Sequence, residues 1–314
     1  MTGAPAAPDT IMAVTAVTVR VPAKVNLQLA VGPLRADGYH DLVNVFHAVS
    51  LFDEVTAEPA DELTVTVRGE SVEGVPVGED NLAARAARLL AERIGARPDV
   101  ALTIHKTIPV AGGMAGGSAD AAAALVACAR LWDASGVRLA DLAADLGSDV
   151  PFALLGGTAI GTGRGEVLTP VPVGGRFHWV FALADGGLST PAVYAECDRL
   201  REAAGQRVGP PRRSQALLDA LERGDAEALG AALANDLQPA ALSLRPSLRR
   251  TLQAGREGGA LGALVSGSGP TCAFLARSAG HAAELAAALS EAGLVRAAVS
   301  AHGPVPGATV VAGG

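Results

Sequence analysis

Two lysines and one aspartate stand where chemistry explains the residue type better than surface charge does. The chain holds 25 basic residues, and Lys24 and Lys106 are the only lysines among them. A compact ammonium over a phosphate or hydroxyl cannot be exchanged for a wide guanidinium, so the two positions that are not arginine mark candidate sites. Lys24 stands in "PAKVN", among apolar neighbours where an unpaired charge is costly. Asp149, in "GSDVPF", follows Gly147 at the start of a helical run. It reads either as a helix N-cap or as a proton acceptor held beside an ammonium.

The third feature is "PVAGGMAGGSADAAAAL", Pro109 to Leu125, where glycines abut a near-pure alanine helix. A glycine inside a helix costs roughly 0.5–1 kcal/mol relative to alanine, and a tight turn needs only one or two. Gly112, Gly113, Gly116 and Gly117 exceed that need. The surplus fits an anion cradle, in which backbone N–H groups and a helix N-terminus close on a phosphate. Ser118 is the expected N-cap of a helix running to about Ser135, and a strand ending near Val110 delivers Lys106 to the lip of the loop. The chain also has only two tyrosines, Tyr39 in "RADGYHD" and Tyr194 in "GLSTPAVYAE", both in turn-like contexts. They read as half-buried surface aromatics or as two rings clamping a flat base, with His40 at the base edge.

These residues need a folded scaffold, and composition supplies one. The 314 residues are 49% hydrophobic and 18% charged, which excludes a disordered chain. A net charge of −7 argues against nucleic acid or an anionic membrane as partner. A negatively charged small substrate then requires a local cationic pocket. Cys128, Cys197 and Cys272 are far apart in apolar surroundings and read as buried, reduced thiols rather than a zinc site or disulfide framework. No run of 18 apolar residues exists, and "MTGAPAAPDT" has neither a basic n-region nor an h-region, so the expectation is a cytoplasmic protein with a disordered tail over residues 1–12.

Periodicity places the elements. Strands are expected over residues 14–31, with an interruption at Pro22, over 43–58, in "ELTVTVRG" and over 100–110. An amphipathic helix ends at Gly95, a second is closed by Gly147, and a third begins at "SDVPF" with Pro151 in its first turn. "GTAIGTG" and "FHWVFAL" return to strand, and "GTGRG" (Gly161–Gly165) is most simply a hairpin turn. Beyond about Pro191 come helices through "RPSLRRTLQAG", the strands "GALVSGSG" and "PTCAFLAR", a helix from Ala279 to Ala292 and a closing strand "VRAAVSAHG". The order predicts an α+β chain of two subdomains without internal repeats.

A Walker loop, a Rossmann fingerprint and the protein-kinase signature set are all absent. "PAKVNLQLAVGPLRADGYHDL", "PVAGGMAGGSADAAAA" and "LVSGSGPTCAF" instead resemble, in order, the three motifs of the GHMP kinases. A-K-x-N-L, D-G-Y-H and G-S-D-V-P-F together are similar to a branch of that family whose acceptor is a cytidine diphosphate derivative. The resemblance implies a ribosomal-protein-S5-like ATP-binding subdomain over residues 13–175, a C-terminal α/β sandwich over 176–314, and an active site in the cleft between them. It implies ATP as co-substrate with Mg²⁺, and transfer of the γ-phosphate to the 2-hydroxyl of a methylerythritol moiety in the non-mevalonate route to isoprenoid precursors. Lys24 and Asp149 are the implied catalytic pair. The implied ATP site takes Asn81, Lys106, Pro109, Val110, Ala111, Gly112, Gly113, Met114, Ala115, Gly116, Gly117, Ser118 and Ala119. The implied acceptor site takes Asn26, Tyr39, His40, Thr190 and Tyr194. Ala111, Met114, Ala115 and Ala119 stand where the family pattern has more glycines and a second serine. Metal ligands and oligomeric state are not implied. Two other readings remain: a GHMP kinase for homoserine, a mevalonate or a sugar, and a non-catalytic metabolite-binding protein. The last would have no reason to keep Lys24, Asp149 and the loop together.

Overall fold

The computed structural model describes residues 16–69, 72, 74–110 and 112–313. The tail expected over residues 1–12, the first residues of the opening strand and Ala111 lie outside the described residues.

Two long antiparallel strands, β1 (Val17–Leu34) and β2 (His40–Pro59), open the chain and are joined by the turn that carries Tyr39. β3 (Thr64–Gly69), α1 (Leu82–Ile94) and β4 (Val100–Lys106) follow. Next come α2 (Gly116–Leu131), α3 (Leu139–Leu146) and α4 (Val150–Leu155). β5 (Thr158–Thr162) and β6 (Val167–Pro170) form the hairpin expected around "GTGRG", and β7 (Phe177–Leu183) starts the second half. α5 (Thr190–Ala203), α6 (Gln215–Arg223) and α7 (Ala226–Ala232) precede the two-residue β8 (Ala234–Asn235). α8 (Gln238–Leu244), α9 (Leu248–Glu257), β9 (Gly262–Val265) and β10 (Cys272–Ala276) come next. α10 (Ala279–Glu291), β11 (Ala297–Gly303) and β12 (Thr309–Gly313) close the chain.

Pro22 does not interrupt the first strand. It sits inside β1 at a register shift between Pro22 and Ala23, where irregular pairing tolerates a missing N–H. The length of β2 lets its two halves serve different neighbours: residues 54–59 pair with β4 and residues 44–47 with β5. The first sheet runs β12-β1-β2-β4-β3, with β5 and β6 beyond β2 and β8 on β1. The second sheet, β11-β7-β10-β9, is antiparallel and comes wholly from the C-terminal half. Two late segments, β8 and the unexpected β12, return to the first sheet.

The alanine bias of α2 is explained by packing. Ala121, Ala122, Ala123, Ala124, Ala127 and Cys128 are all buried, so the helix lies close against β1, β2 and α1. That core continues through Phe177, Trp179, Phe181 and Leu275 on one face of the second sheet, while Val180 and Phe274 on its other face join a cluster that includes residues of α5, α8, α9 and α10. The shared core fixes the two sheets against each other and so holds both walls of the cleft. Cys128, Cys197 and Cys272 are free and buried as expected, and burial pushes the thiols of Cys128 and Cys272 up to about 12. Among the described residues, no helix is long and apolar enough to cross a membrane.

Candidate active site

A cleft of about 1080 Å³ lies between the turn after β1, the glycine loop, the start of α4, the start of α5 and the turn at residues 266–270. The glycine loop enters α2 differently from the sequence expectation. Ser118 is not the N-cap. Ala115 holds that position with φ +61°, and Ser118 falls inside the first turn with no side-chain cap made. The first backbone bond into the helix runs from Ala119 N to Ala115 O, so the N–H groups of Gly116, Gly117 and Ser118 precede the ladder. They form a cluster of donors at a helix N-terminus on the cleft.

The loop glycines have separable causes. A Cβ at Gly113 would lie 2.2 Å from Ser266 O, and one at Gly116 would lie 3.0 Å from Lys106 Nζ. One at Gly112 would meet Pro109 and Thr271 at 3.0 Å. Those three glycines let the loop pack against its own structure. Gly117 is different: its Cβ would meet only Leu82 Cδ1, at 3.6 Å, and the residue is exposed on the cleft. Packing does not explain it, and the absence of a side chain leaves the backbone there open to close approach from the cleft.

Lys106 lies beneath this loop, held by Asp53 Oδ2 at 2.5 Å and Asp120 Oδ2 at 2.8 Å. Asp53 Oδ1 also accepts from Thr107 N at 2.6 Å and Ile108 N at 2.8 Å, so one buried carboxylate ties the loop to β2. Burial opposes the charge of Lys106, but Asp120 and Asp53 outweigh it and hold its pKa above the ordinary lysine value. Asp120 is pushed up to about 7, by burial first, with Lys106 pulling the other way. Its Oδ1 is buried without a partner, and the residue lines the cleft.

Lys24, two residues past the register shift in β1, donates to Asn26 Oδ1 at 2.7 Å and to Gly113 O at 3.1 Å. Asn26 in turn donates to Asn44 Oδ1 at 2.8 Å, which fixes the row facing the cleft. Asp149 Oδ2 is 3.6 Å from Lys24 Nζ. Burial lowers the Lys24 pKa, with Asp149 opposing that shift. Asp149 precedes α4 at the N-cap position, yet its side chain makes no capping bond. The carboxylate is turned to the lysine and the cleft.

At the other end of the cleft, Tyr194 is in α5 rather than in a turn, because Thr190 and Pro191 start the helix behind Ser189. The two tyrosine rings are not in contact among the described residues. Tyr194 lies against His40 with ring centroids 5.3 Å apart, and the Arg164 guanidinium sits 5.4 Å over Tyr39, which is 53% exposed. Each ring therefore has one face taken. His40 Nε2 is 3.0 Å from Asp198 Oδ1. Thr190 Oγ1 meets Ser268 Oγ at 2.9 Å and closes the wall beneath.

Of the expected residues, Lys24, Asn26, Tyr39, His40, Lys106, Pro109, Val110, Gly112, Gly113, Ala115, Gly116, Gly117, Asp149, Thr190 and Tyr194 line this one cleft. Four others have different surroundings. Met114 and Ala119 are buried in the core, and Ser118 lies in the first turn of α2 without lining the cleft. Asn81 caps α1, accepting from Ala83 N at 2.8 Å and donating to Pro76 O at 2.7 Å. Ala111, expected at the ATP site, lies outside the described residues. Sequence reasoning missed Asp53, Asp120, Asn44, Arg164 and Asp198. Asp120 was reachable as the one acidic residue in the alanine helix. Among the described residues, no group of three or more His, Cys, Asp or Glu side chains is placed to hold a metal.

A glycine loop feeding donors into a cleft beside a buried lysine and its aspartate partner defines a small-molecule kinase of the GHMP class. Family models for the GHMP kinases N terminal domain and the GHMP kinases C terminal domain match residues 81–157 and 217–294, and the chain belongs to the GHMP kinase family. Within it, the chain is 64% identical over 307 residues to 4-diphosphocytidyl-2-C-methyl-D-erythritol kinase of Thermobifida fusca, covering 95% of this chain and 99% of that protein. It is 65% identical over 297 residues to the protein of the same name in Streptomyces avermitilis, covering 94% and 99%. A crystal structure of 4-(cytidine 5'-diphospho)-2C-methyl-D-erythritol kinase matches with TM-score 0.74 at 35% identity, over 90% of this chain and 98% of that one. Homoserine kinase from Cytophaga hutchinsonii has TM-score 0.72 at 18% identity, over 98% and 100%, and shares the fold.

Proposed function

We propose that this chain transfers the γ-phosphate of ATP to the 2-hydroxyl of 4-diphosphocytidyl-2-C-methyl-D-erythritol, releasing ADP. The observation that carries this reading is the Lys24–Asp149 pair in one cleft with a helix-N-terminal donor cluster and two tyrosine rings. The donors at Gly116, Gly117 and Ser118 suit the nucleotide phosphates, whose transferring group needs positioning and charge stabilisation more than covalent help. The acceptor hydroxyl gives its proton to an Asp149 oxygen as its own oxygen bonds to the γ-phosphorus, and the bond from that phosphorus to the bridging oxygen of ADP breaks. Lys24 steadies Asp149 and stabilises the negative charge that develops on the acceptor oxygen. Tyr39 and Tyr194 offer their free ring faces to the cytosine, and Asn26 stands at the acceptor end. Asp120, whose Oδ1 is unpartnered, is the residue that would hold a Mg²⁺ ion here. The ion supplies charge neutralisation on the phosphates. The protein acts as a cytoplasmic enzyme.

Release of ADP is measured with the cytidyl acceptor, homoserine, mevalonate and a hexose, each with ATP in excess. Turnover with the cytidyl acceptor exceeding the others by orders of magnitude is the expected result. Preference for any other acceptor overturns the assignment and leaves only the family.

A further inference from the structure

We infer that Asp198 sets the tautomer of His40 and thereby makes the base pocket prefer cytosine to uracil; this rests on the cytidyl-acceptor reading above. His40 is buried, its ring lies 5.3 Å from that of Tyr194, and its Nε2 is 3.0 Å from Asp198 Oδ1. A carboxylate is an acceptor only, so the hydrogen between them belongs to Nε2. In the neutral imidazole that leaves Nδ1 as an acceptor. Among the described residues Nδ1 has no hydrogen-bond partner and is not one of the sealed, unpartnered atoms, and His40 lines the cleft.

An acceptor at that position takes an N–H from the exocyclic amino group of cytosine. The corresponding carbonyl oxygen of uracil would set two lone pairs against each other. In a pocket closed by Tyr194 such a mismatch is worth about tenfold or more in discrimination. Asp198 lies four residues beyond Tyr194 on α5, so one turn of helix supplies both the ring against His40 and the carboxylate behind it. Asp198 acts through His40 and is a positioning residue.

The test uses the full-length enzyme and its Asp198→Asn and Asp198→Glu variants, with cytidyl and uridyl forms of the acceptor. An asparagine side chain both donates and accepts, so D198N releases the tautomer. We expect the cytidyl-to-uridyl ratio of kcat/KM to fall about tenfold in D198N, through KM more than kcat, and to be retained in D198E. The KM for ATP stays the same. The ¹⁵N shifts of His40 in the unliganded protein should report protonated Nε2 in the wild type and a mixture in D198N. An unchanged ratio in D198N, or protonated Nδ1 in the wild type, overturns the role of Asp198 while leaving the acceptor assignment standing. Absence of turnover with either pyrimidine form overturns the acceptor assignment, and the inference with it.

Discussion

The only two lysines of the chain are both buried, and they are handled in opposite ways. Lys106 is enclosed by two carboxylates within 2.8 Å, and its pKa is raised. Lys24 has one carboxylate at 3.6 Å, an amide and a carbonyl, and its pKa is lowered. The first arrangement saturates the ammonium and ties β2, β4 and α2 together beneath the phosphate loop. The second leaves the ammonium with a single, more distant carboxylate on the wall of the cleft. Rarity alone marks both residues, and the count of carboxylate partners separates the two.

The same substitution at both positions breaks or sharpens this contrast most strongly. Lys106→Met strands two buried carboxylates and should cost about 3–5 kcal/mol in urea denaturation. Lys24→Met removes a desolvated charge facing one half-exposed partner, and should change stability by about 1 kcal/mol or less while lowering turnover by about 10²-fold or more. Equal stability losses would dissolve the distinction. Asp149→Asn keeps the shape and any capping capacity, yet should lower kcat by about 10²-fold with an unchanged urea midpoint. If Asp149 served only the helix, the rate would hold.

Smaller effects refine the picture. Gly117→Val should weaken ATP binding by at least about tenfold in calorimetry while the protein stays folded, because only the incoming phosphate competes for the space that the side chain would fill. Limited acylation at mildly alkaline pH, mapped by mass spectrometry, should modify Lys24 before Lys106. A lowered pKa leaves more free amine on Lys24 at a given pH, and a raised one leaves less on Lys106. Ala115→Gly should raise stability by about 1 kcal/mol or less, since Ala115 adopts φ +61° with a Cβ.

The fold class, the glycine loop and the placing of Lys24 and Asp149 on one cleft were legible because each rests on local chemistry: strand alternation, a glycine surplus and scarce residue types. The order of the elements was legible for the same reason. What local pattern could not carry was pairing. Pro22 looked like a strand break because its missing N–H is local, while the register shift that accommodates it belongs to the partner strand. Ser118 looked like an N-cap because serine is a good one, whereas the loop's backbone enters α2 three residues earlier through Ala115. Tyr194 looked turn-bound from its glycine- and proline-rich neighbours, and Pro191 in fact starts a helix.

By itself the sequence determined which residues are able to donate, accept or cradle, since that capacity is carried by side-chain chemistry and backbone freedom. Only the tertiary structure decided which of them are paired. Asp53 is separated from Lys106 by 53 positions and Asp198 from His40 by 158, and nothing local marks either aspartate. Whether a buried charge is spent on a partner or left for a ligand depends on distances of 2.5 to 3.6 Å across such separations, and the packing of two sheets on one core sets those distances.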